Sequence, residues 1–283
     1  MALAHYDRRK PKPLRCQQLD DCRLDNPEPL KAAVAQLGLN GASVSWVLSP
    51  KDYNLLLVEA PAVDEAEMAD ALRWRVKDML SFDIEHAVLD FFELPEDAYR
   101  GRSRMLYVAV IQQSVSDRIE SLVNGAGMAL KALLIPELML IRLKQLEGET
   151  LATAVLGLQS PHSLISMVSE GSLYLTRQVD SDVSLLSPDA VEIETRASGL
   201  VLDIQRSLDY YESQIGKPPC LRLLVCPQQP GETPLLGQLR YNLAVELVQL
   251  DLGEHIDSET PLTPLLQSQA MMAIAAALPE VES

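Results

Sequence analysis

Residues that could perform acid–base, nucleophilic or metal chemistry are few in this sequence and lie far apart. The four histidines, at positions 5, 86, 162 and 255, show no metal-ligand spacing. None of the motifs G-x-G-x-x-G, G-x-x-x-x-G-K-[ST], H-E-x-x-H and G-x-S-x-G occurs. His162 lies in a turn, where a general base would need an orienting carboxylate that cannot be assigned nearby. We predict a solvent-facing turn histidine and no conventional catalytic centre.

The four cysteines are Cys16, Cys22, Cys220 and Cys226, and each pair is separated by five residues. Zinc knuckles usually place two to four residues between their ligands, so this spacing does not indicate a zinc site. Cys220 and Cys226 also flank "LRLLV", which is typical of a buried strand. We interpret the cysteines as buried thiols of a reducing compartment.

Residues 154–178, "AVLGLQSPHSLISMVSEGSLYLTRQ", indicate three short strands joined by the turns "SPHS" and "SEGS". A strand–turn–strand can hold a phosphate group when its turn supplies an acidic residue and glycines. Whether this segment is such a site, or what remains of one, depends on the rest of the chain.

Asp90 is a carboxylate inside the apolar strand "AVLDFFEL". Strand alternation places Val88, Asp90 and Phe92 on one face, which predicts a half-buried carboxylate. Two interpretations stay open: the carboxylate is paired with an arginine or caps a neighbouring turn, or it binds a partner.

The charge and composition exclude two classes of protein. A formal charge of −16 argues against a nucleic-acid-binding protein. The longest apolar run, residues 270–278, is too short to span a bilayer, and no signal peptide opens the chain. We predict a cytoplasmic protein. Residues 7–15, "DRRKPKPLR", hold five of the 24 basic residues, which fits either a solvated turn or a tip near an anionic membrane.

Strands and helices alternate along the whole chain, so the fold class is α/β or α+β. In the first half we predict helices after Asn26–Pro27, from Asp64 through Met79, over "SVSDRIESLVNGAG" and from Pro136, with strands between them. In the second half we predict the three strands above, then a long helix starting near Ser187–Pro188. The strand "LRLLV", a short helix, the strand "AVELVQL" and a helix over residues 264–278 follow. Two lobes, each a sheet flanked by helices, are the architecture that these elements favour.

Three segments together resemble the PilM family of type IV pilus proteins. "ALRWRVKDMLSFDIEHAVLDFFEL" (residues 71–94) is similar to that family's helix with Arg-Trp, loop with a central Phe and strand with Asp. "VLDIQRSLDYYESQ" resembles its long helix and "QSQAMMAIAAAL" its last helix, so the resemblance covers most of the chain. The most similar member is the one that serves the mannose-sensitive haemagglutinin (MSHA) pilus.

The resemblance implies an α/β, actin-like (ASKHA) fold of two lobes with a subdomain inserted in the first. Residues 1–63 and 134–150 would form the first lobe, 64–133 the inserted subdomain and 151–283 the second lobe. The family's first phosphate-binding strand, of the form Gly-Ile-Asp-Ile-Gly, has no counterpart here, because "ALAHY" matches the strand that follows it.

The other two parts of the implied nucleotide site also differ from the family pattern. Gly157 and Gln159 stand where the family has the acid and the glycine of Asp-x-Gly. Cys226 and Pro227 stand in the adenosine loop, where the family has a Gly-Gly pair. We therefore expect no enzymatic activity, no ATP cofactor and no metal.

The resemblance implies a scaffold at the cytoplasmic face of a Gram-negative inner membrane. It would bind the cytoplasmic N-terminal peptide of a PilN-like membrane protein, in addition to an assembly ATPase or another platform component. The predicted contact residues are Arg73, Trp74, Phe82 and Asp90. Core packing is the alternative for Trp74 and Phe82.

Two other functions stay open. One is a functional actin-like ATP-binding protein whose first phosphate strand is truncated. The other is the cytoplasmic domain of a GspL-like type II secretion protein, a family whose chains continue into a transmembrane helix. The full-length gene distinguishes this last case, because it shows whether a transmembrane helix is encoded after this sequence.

Overall fold

The structure is a computed structural model that describes residues 1–99, 104–148, 150–181, 183–186, 193–227, 229 and 231–279. The chain forms two compact units. One consists of Met1–Leu19 with Pro136–Ser283, and the other is Asp20–Ile135. This division differs from the three parts proposed above, which stay a prediction. No helix among the described residues is both long and apolar enough to cross a membrane.

The described residues of the unit Asp20–Ile135 form three α-helices and five strands. In chain order they are α1 (Glu28–Leu37), β3 (Ser43–Val47), β4 (Tyr53–Glu59), α2 (Glu65–Val76), β5 (Ala87–Glu93), β6 (Met105–Gln112), α3 (Gln113–Gly125) and β7 (Ala129–Leu134). β3 pairs with β7 in parallel, and β4, β6 and β5 form an antiparallel sheet in that order. α1 ends where predicted, at Gly38, whose left-handed φ of 68° lets its amide cap the helix.

Helix α2 covers one face of the β4–β6–β5 sheet. Its side chains Met68, Leu72 and Val76 are buried and join a core with sheet residues that include Val108 and Val110. The prediction that this helix continues through Met79 was wrong, and Met79 is 52% exposed. The α-helix ends at Val76, and a 3₁₀ turn over Lys77–Met79 rotates the remaining side chains away from the core.

Where the structure describes the second unit, it forms seven strands and five α-helices. They are β1 (Ala2–Tyr6), β2 (Leu14–Gln18), α4 (Pro136–Gln145), β8 (Thr153–Gly157), β9 (Ser163–Ser169), β10 (Ser172–Val179), α5 (Ile193–Ser213), β11 (Arg222–Cys226), α6 (Pro234–Asn242), β12 (Glu246–Gln249), α7 (Leu252–His255) and α8 (Pro264–Ala277). The one-turn helix α7 was not predicted from the sequence. The predicted start of the long helix, at Ser187–Pro188, lies outside the described residues.

The main sheet of this unit has the strand order β10-β9-β8-β11-β12. The three strands predicted in residues 154–178 form its antiparallel part, and β8, β11 and β12 are parallel. Glu170 and Gly171 both have positive φ, which gives the two-residue turn that suits the twist of a hairpin. β1 and β2 form a separate hairpin that packs against α8.

Candidate functional site

Gly157, the first position of the implied phosphate site, is the last residue of β8. A Cβ atom added there would lie 2.8 Å from Leu140 Cδ2 and 3.0 Å from Leu140 Cδ1. Leu140 is fully buried in α4, so the space beside Gly157 is occupied by a core side chain. The glycine permits close helix–sheet packing at this point.

The loop after β11 meets the same edge of the sheet. Gly157 is the register partner of Cys226, and the Leu158 amide donates to the Cys226 carbonyl at 2.7 Å. Gln229, which is 3% exposed, donates from Nε2 to the Pro227 carbonyl at 2.6 Å. The backbone amide of Gln229 donates to Gln249 Oε1 at 3.0 Å. The structure thus brings the two predicted positions together, and buried side chains hold the loop.

Gln159 and His162 lie in the turn between β8 and β9. Gln159 is half-buried. His162 Nδ1 is 3.8 Å from an oxygen of Asp180, whose side chain is fully exposed. That distance exceeds a hydrogen bond, so the turn contains no oriented acid–base pair.

The thiols are buried, as the sequence predicted. Burial raises the pKa of Cys16, Cys22, Cys220 and Cys226, which keeps each thiol protonated and weakly nucleophilic. Within the described part of the chain, no group of three or more His, Cys, Asp or Glu residues could hold a metal ion.

Arg73 and Phe82 hold the segment between α2 and β5 in place. The Arg73 guanidinium donates to the carbonyls of Ile84 and Ala87, both at 3.2 Å. Phe82 is partly buried against the core beneath α2. Both side chains therefore have structural contacts, and their predicted role in partner binding stays a prediction.

Trp74 lies on the outer face of α2. Its side chain is 71% exposed, and Lys77 Nζ lies 4.1 Å from the centre of its ring. The core-packing alternative for Trp74 is therefore wrong. The predicted role of Trp74 in partner binding stays a prediction.

Asp90 is exposed, so the prediction of a half-buried carboxylate was wrong. Its Oδ1 accepts a 2.8 Å hydrogen bond from the backbone amide of Phe91, the next residue in β5. Phe91 faces α2, so by alternation Asp90 belongs to the opposite face of the sheet. Trp74 and Asp90 are thus on different sides of the sheet.

The face that carries Asp90 is apolar, and part of it is covered, because Tyr53, Tyr107 and Ile111 on this face are buried. We call it the open face and define it by side chains that are all half-buried: Leu55, Leu57, Val88, Phe92 and Ala109. In register, Leu55 and Asp90 both pair with Ala109, and the Phe92 ring lies 5.5 Å from the ring of Tyr107.

Sequence reasoning did not identify Leu55, Leu57 and Ala109 as site residues. The signal was present, because "NLLLVEA" and "RMLYVAVI" are apolar on both faces although α2 covers one face only. An apolar face of this kind is typical of a contact surface.

Comparison with known proteins gives structural matches. No protein-family model matches the sequence, and no curated protein matches it significantly. The chain is similar in structure to PilM from a PilM–PilN type IV pilus biogenesis complex, with a TM-score of 0.78, 17% identity and coverage of 98% of this chain and 96% of that one. It is also similar to the cytoplasmic domain of EpsL, an inner membrane component of the Vibrio cholerae type II secretion system. That match has a TM-score of 0.51, 14% identity and coverage of 84% and 86%.

A Bacteroides thetaiotaomicron protein of actin-like ATPase fold also matches, with a TM-score of 0.49, 9% identity and coverage of 89% and 86%. The match to PilM confirms the α/β, actin-like fold expected from the sequence. Within that fold, the chain has the structure of a PilM-like protein.

Proposed function

We propose that this chain is a non-catalytic cytoplasmic scaffold of a type IV pilus assembly platform, of the MSHA type served by MshI. It binds the cytoplasmic N-terminal peptide of a PilN-like protein, and this partner holds it at the inner membrane. The observation that carries the proposal is the structural match to PilM from a PilM–PilN complex over 98% of this chain. An assembly ATPase or another platform protein is a second partner in the proposal.

The open face supports the proposal with a surface of suitable chemistry. It offers half-buried apolar side chains around the exposed carboxylate of Asp90, on a chain with a net charge of −16. Cytoplasmic segments next to membrane spans carry an excess of Lys and Arg. A short peptide with apolar side chains and one basic residue at Asp90 is complementary to this face.

Peptide binding tests the proposal directly. We expect the protein to bind a synthetic peptide of the cytoplasmic N-terminal segment of a PilN-like protein from the same genome, and to ignore a scrambled peptide. Asp90→Lys should weaken binding about tenfold or more, because it places like charges together. Trp74→Ala, on the other side of the sheet, should change it by less than about twofold. The measurement is isothermal titration calorimetry.

Absence of binding by the unaltered protein would contradict the scaffold proposal. Loss of binding in Trp74→Ala, with Asp90→Lys unaffected, would contradict the placement on the open face. Asp90→Asn is the conservative variant, because its side-chain oxygen can still accept from the Phe91 amide while the charge is lost.

The proposed absence of catalysis has its own test. We expect no saturable binding of labelled ATP with Mg²⁺ in the micromolar range. Gly157 supplies no carboxylate on the Mg²⁺ side of a phosphate site. Pro227 has no backbone N–H that could contact an adenosine. Equilibrium dialysis or fluorescence titration measures this. Clear micromolar binding would support the alternative of a functional actin-like ATP-binding protein.

A second candidate is the cytoplasmic domain of a type II secretion protein, favoured by the match to EpsL. Its lower TM-score of 0.51, against 0.78 for PilM, places it second. A protein of this kind should not bind the PilN-type peptide.

A further inference from the structure

The turn between β1 and β2 is a basic projection on an acidic protein. Arg8, Arg9, Lys10 and Lys12 follow one another there, and all four are exposed. The chain as a whole carries a net charge of −16. The turn is therefore positively charged on a protein whose net charge is negative.

Neighbouring carboxylates neutralise only part of the turn. Arg9 Nε lies 2.9 Å from Asp7, and Lys10 Nζ lies 3.1 Å from Glu259. Hydrogen bonds from Arg9 lower the pKa of Asp7 to about 2, so this carboxylate stays ionised at neutral pH. No carboxylate of the described residues lies within 4.0 Å of Arg8 or Lys12 in an ion pair. Four cations and two carboxylates leave an excess of two positive charges.

The shape of the turn determines which anionic partner fits. Arg8, Arg9, Lys10, Pro11 and Lys12 are all exposed at the end of a two-stranded hairpin, so their side chains extend into solvent from its tip. Pro11 and Pro13 restrict its backbone, and the hairpin packs against α8, which fixes its base. A fixed convex tip of long cationic side chains suits a flat anionic surface. Nucleic acid is disfavoured by the net charge of the chain.

We propose that the tip of the β1–β2 hairpin, residues 8–12, binds the anionic phospholipid headgroups of a membrane surface. Lys and Arg side chains are attracted to such a surface within about one Debye length, while the acidic remainder of the protein is repelled. The tip therefore contacts the membrane first and orients the chain on it. This inference does not depend on a PilN-like partner, because the lipid contact is made by the chain itself.

Vesicle co-sedimentation of the full chain tests the proposal. At low ionic strength we expect binding to phosphatidylcholine vesicles that contain about one third phosphatidylglycerol, and none to pure phosphatidylcholine. Binding should be lost at about 0.5 M salt, where the attraction is screened. Arg8→Glu with Lys12→Glu should reduce the bound fraction about tenfold.

The matched control is Lys31→Glu with Lys51→Glu, which makes the same change in net charge at two other exposed lysines. It should keep most of the binding. Equal loss in the control, or equal binding to both kinds of vesicle, would overturn the proposal. Binding to soluble polyglutamate as tight as to the anionic vesicles would assign the tip to acidic proteins and also overturn it. Circular dichroism of all variants confirms that they are folded.

Discussion

Replacing Arg222 by methionine is expected to lower the free energy of unfolding by about 3–5 kcal/mol. The Arg222 guanidinium forms a bidentate pair with the Glu147 carboxylate, with N–O distances of 2.7 and 2.8 Å. The two side chains are 16% and 7% exposed. Without the arginine, the Glu147 carboxylate would remain in a poorly solvated position, which is the main cost of breaking such a pair. Urea unfolding followed by circular dichroism measures the change.

Three further variants show whether the pair is responsible. Arg222→Lys keeps the charge but loses the bidentate geometry. Its free energy of unfolding should therefore lie between those of the unaltered protein and Arg222→Met. Removing both partners, with Arg222→Met and Glu147→Leu, should cost less than Arg222→Met alone, because no unpaired charge is left. Lys31→Met breaks an exposed pair with Glu28 and should cost less than about 0.5 kcal/mol. Equal effects of Arg222→Met and Lys31→Met would refute the argument.

Introducing aspartate at Gly157 is expected to destabilise the protein by about 3 kcal/mol or more without creating ATP binding. This substitution restores the acidic residue type that the implied phosphate site needs. Its Cβ would meet Leu140 at 2.8 Å, and its carboxylate would be placed beside a fully buried leucine. Thermal unfolding and a titration with ATP and Mg²⁺ measure the two parts of the prediction.

Steric conflict with Leu140 can be separated from burial of charge. Gly157→Ala adds only the Cβ and should cost about 1–3 kcal/mol. Combined with Leu140→Ala, it should cost less than the sum of the two single changes, since the space is then free. Gly199→Ala is the control, because nothing lies within 4 Å of that added Cβ in helix α5, and it should stabilise by about 0.5–1 kcal/mol. If the stability changes of Gly157→Ala and Leu140→Ala added fully in the double variant, the steric explanation would be wrong.

The order and type of most elements could be predicted because their signals are local. The apolar periodicity of the long helix predicts a buried stripe of Ala197, Val201, Ile204, Leu208, Tyr211 and Ile215. All of these side chains are buried except Leu208, which is half-buried, and Ile215 lies just after the end of α5. The predicted strands in residues 154–178 are present for the same reason. The end of α2 could not be predicted, because the change to a 3₁₀ turn after Val76 leaves the apolar pattern intact.

The candidate site divides in the same way. The amino-acid types at Gly157, Gln159 and Pro227, which lack the groups that phosphate and adenosine require, are read from the sequence itself. The open face needs three strands in register, because Leu55, Ala109 and Asp90 come from β4, β6 and β5. Its position opposite α2 is likewise a property of packing.

The α/β class, the resemblance to PilM and the lack of the phosphate-binding residues follow from the amino-acid sequence, because residue identity and short-range periodicity are sufficient for each. Tertiary packing was needed to show that Leu140 occupies the space beside Gly157 and that Trp74 and Asp90 are exposed on different sides of one sheet. It was also needed to show that Arg222 pairs with Glu147 across 75 residues of chain. The physical reason is that exposure and pairing depend on which distant segments pack together, and local periodicity does not specify those partners.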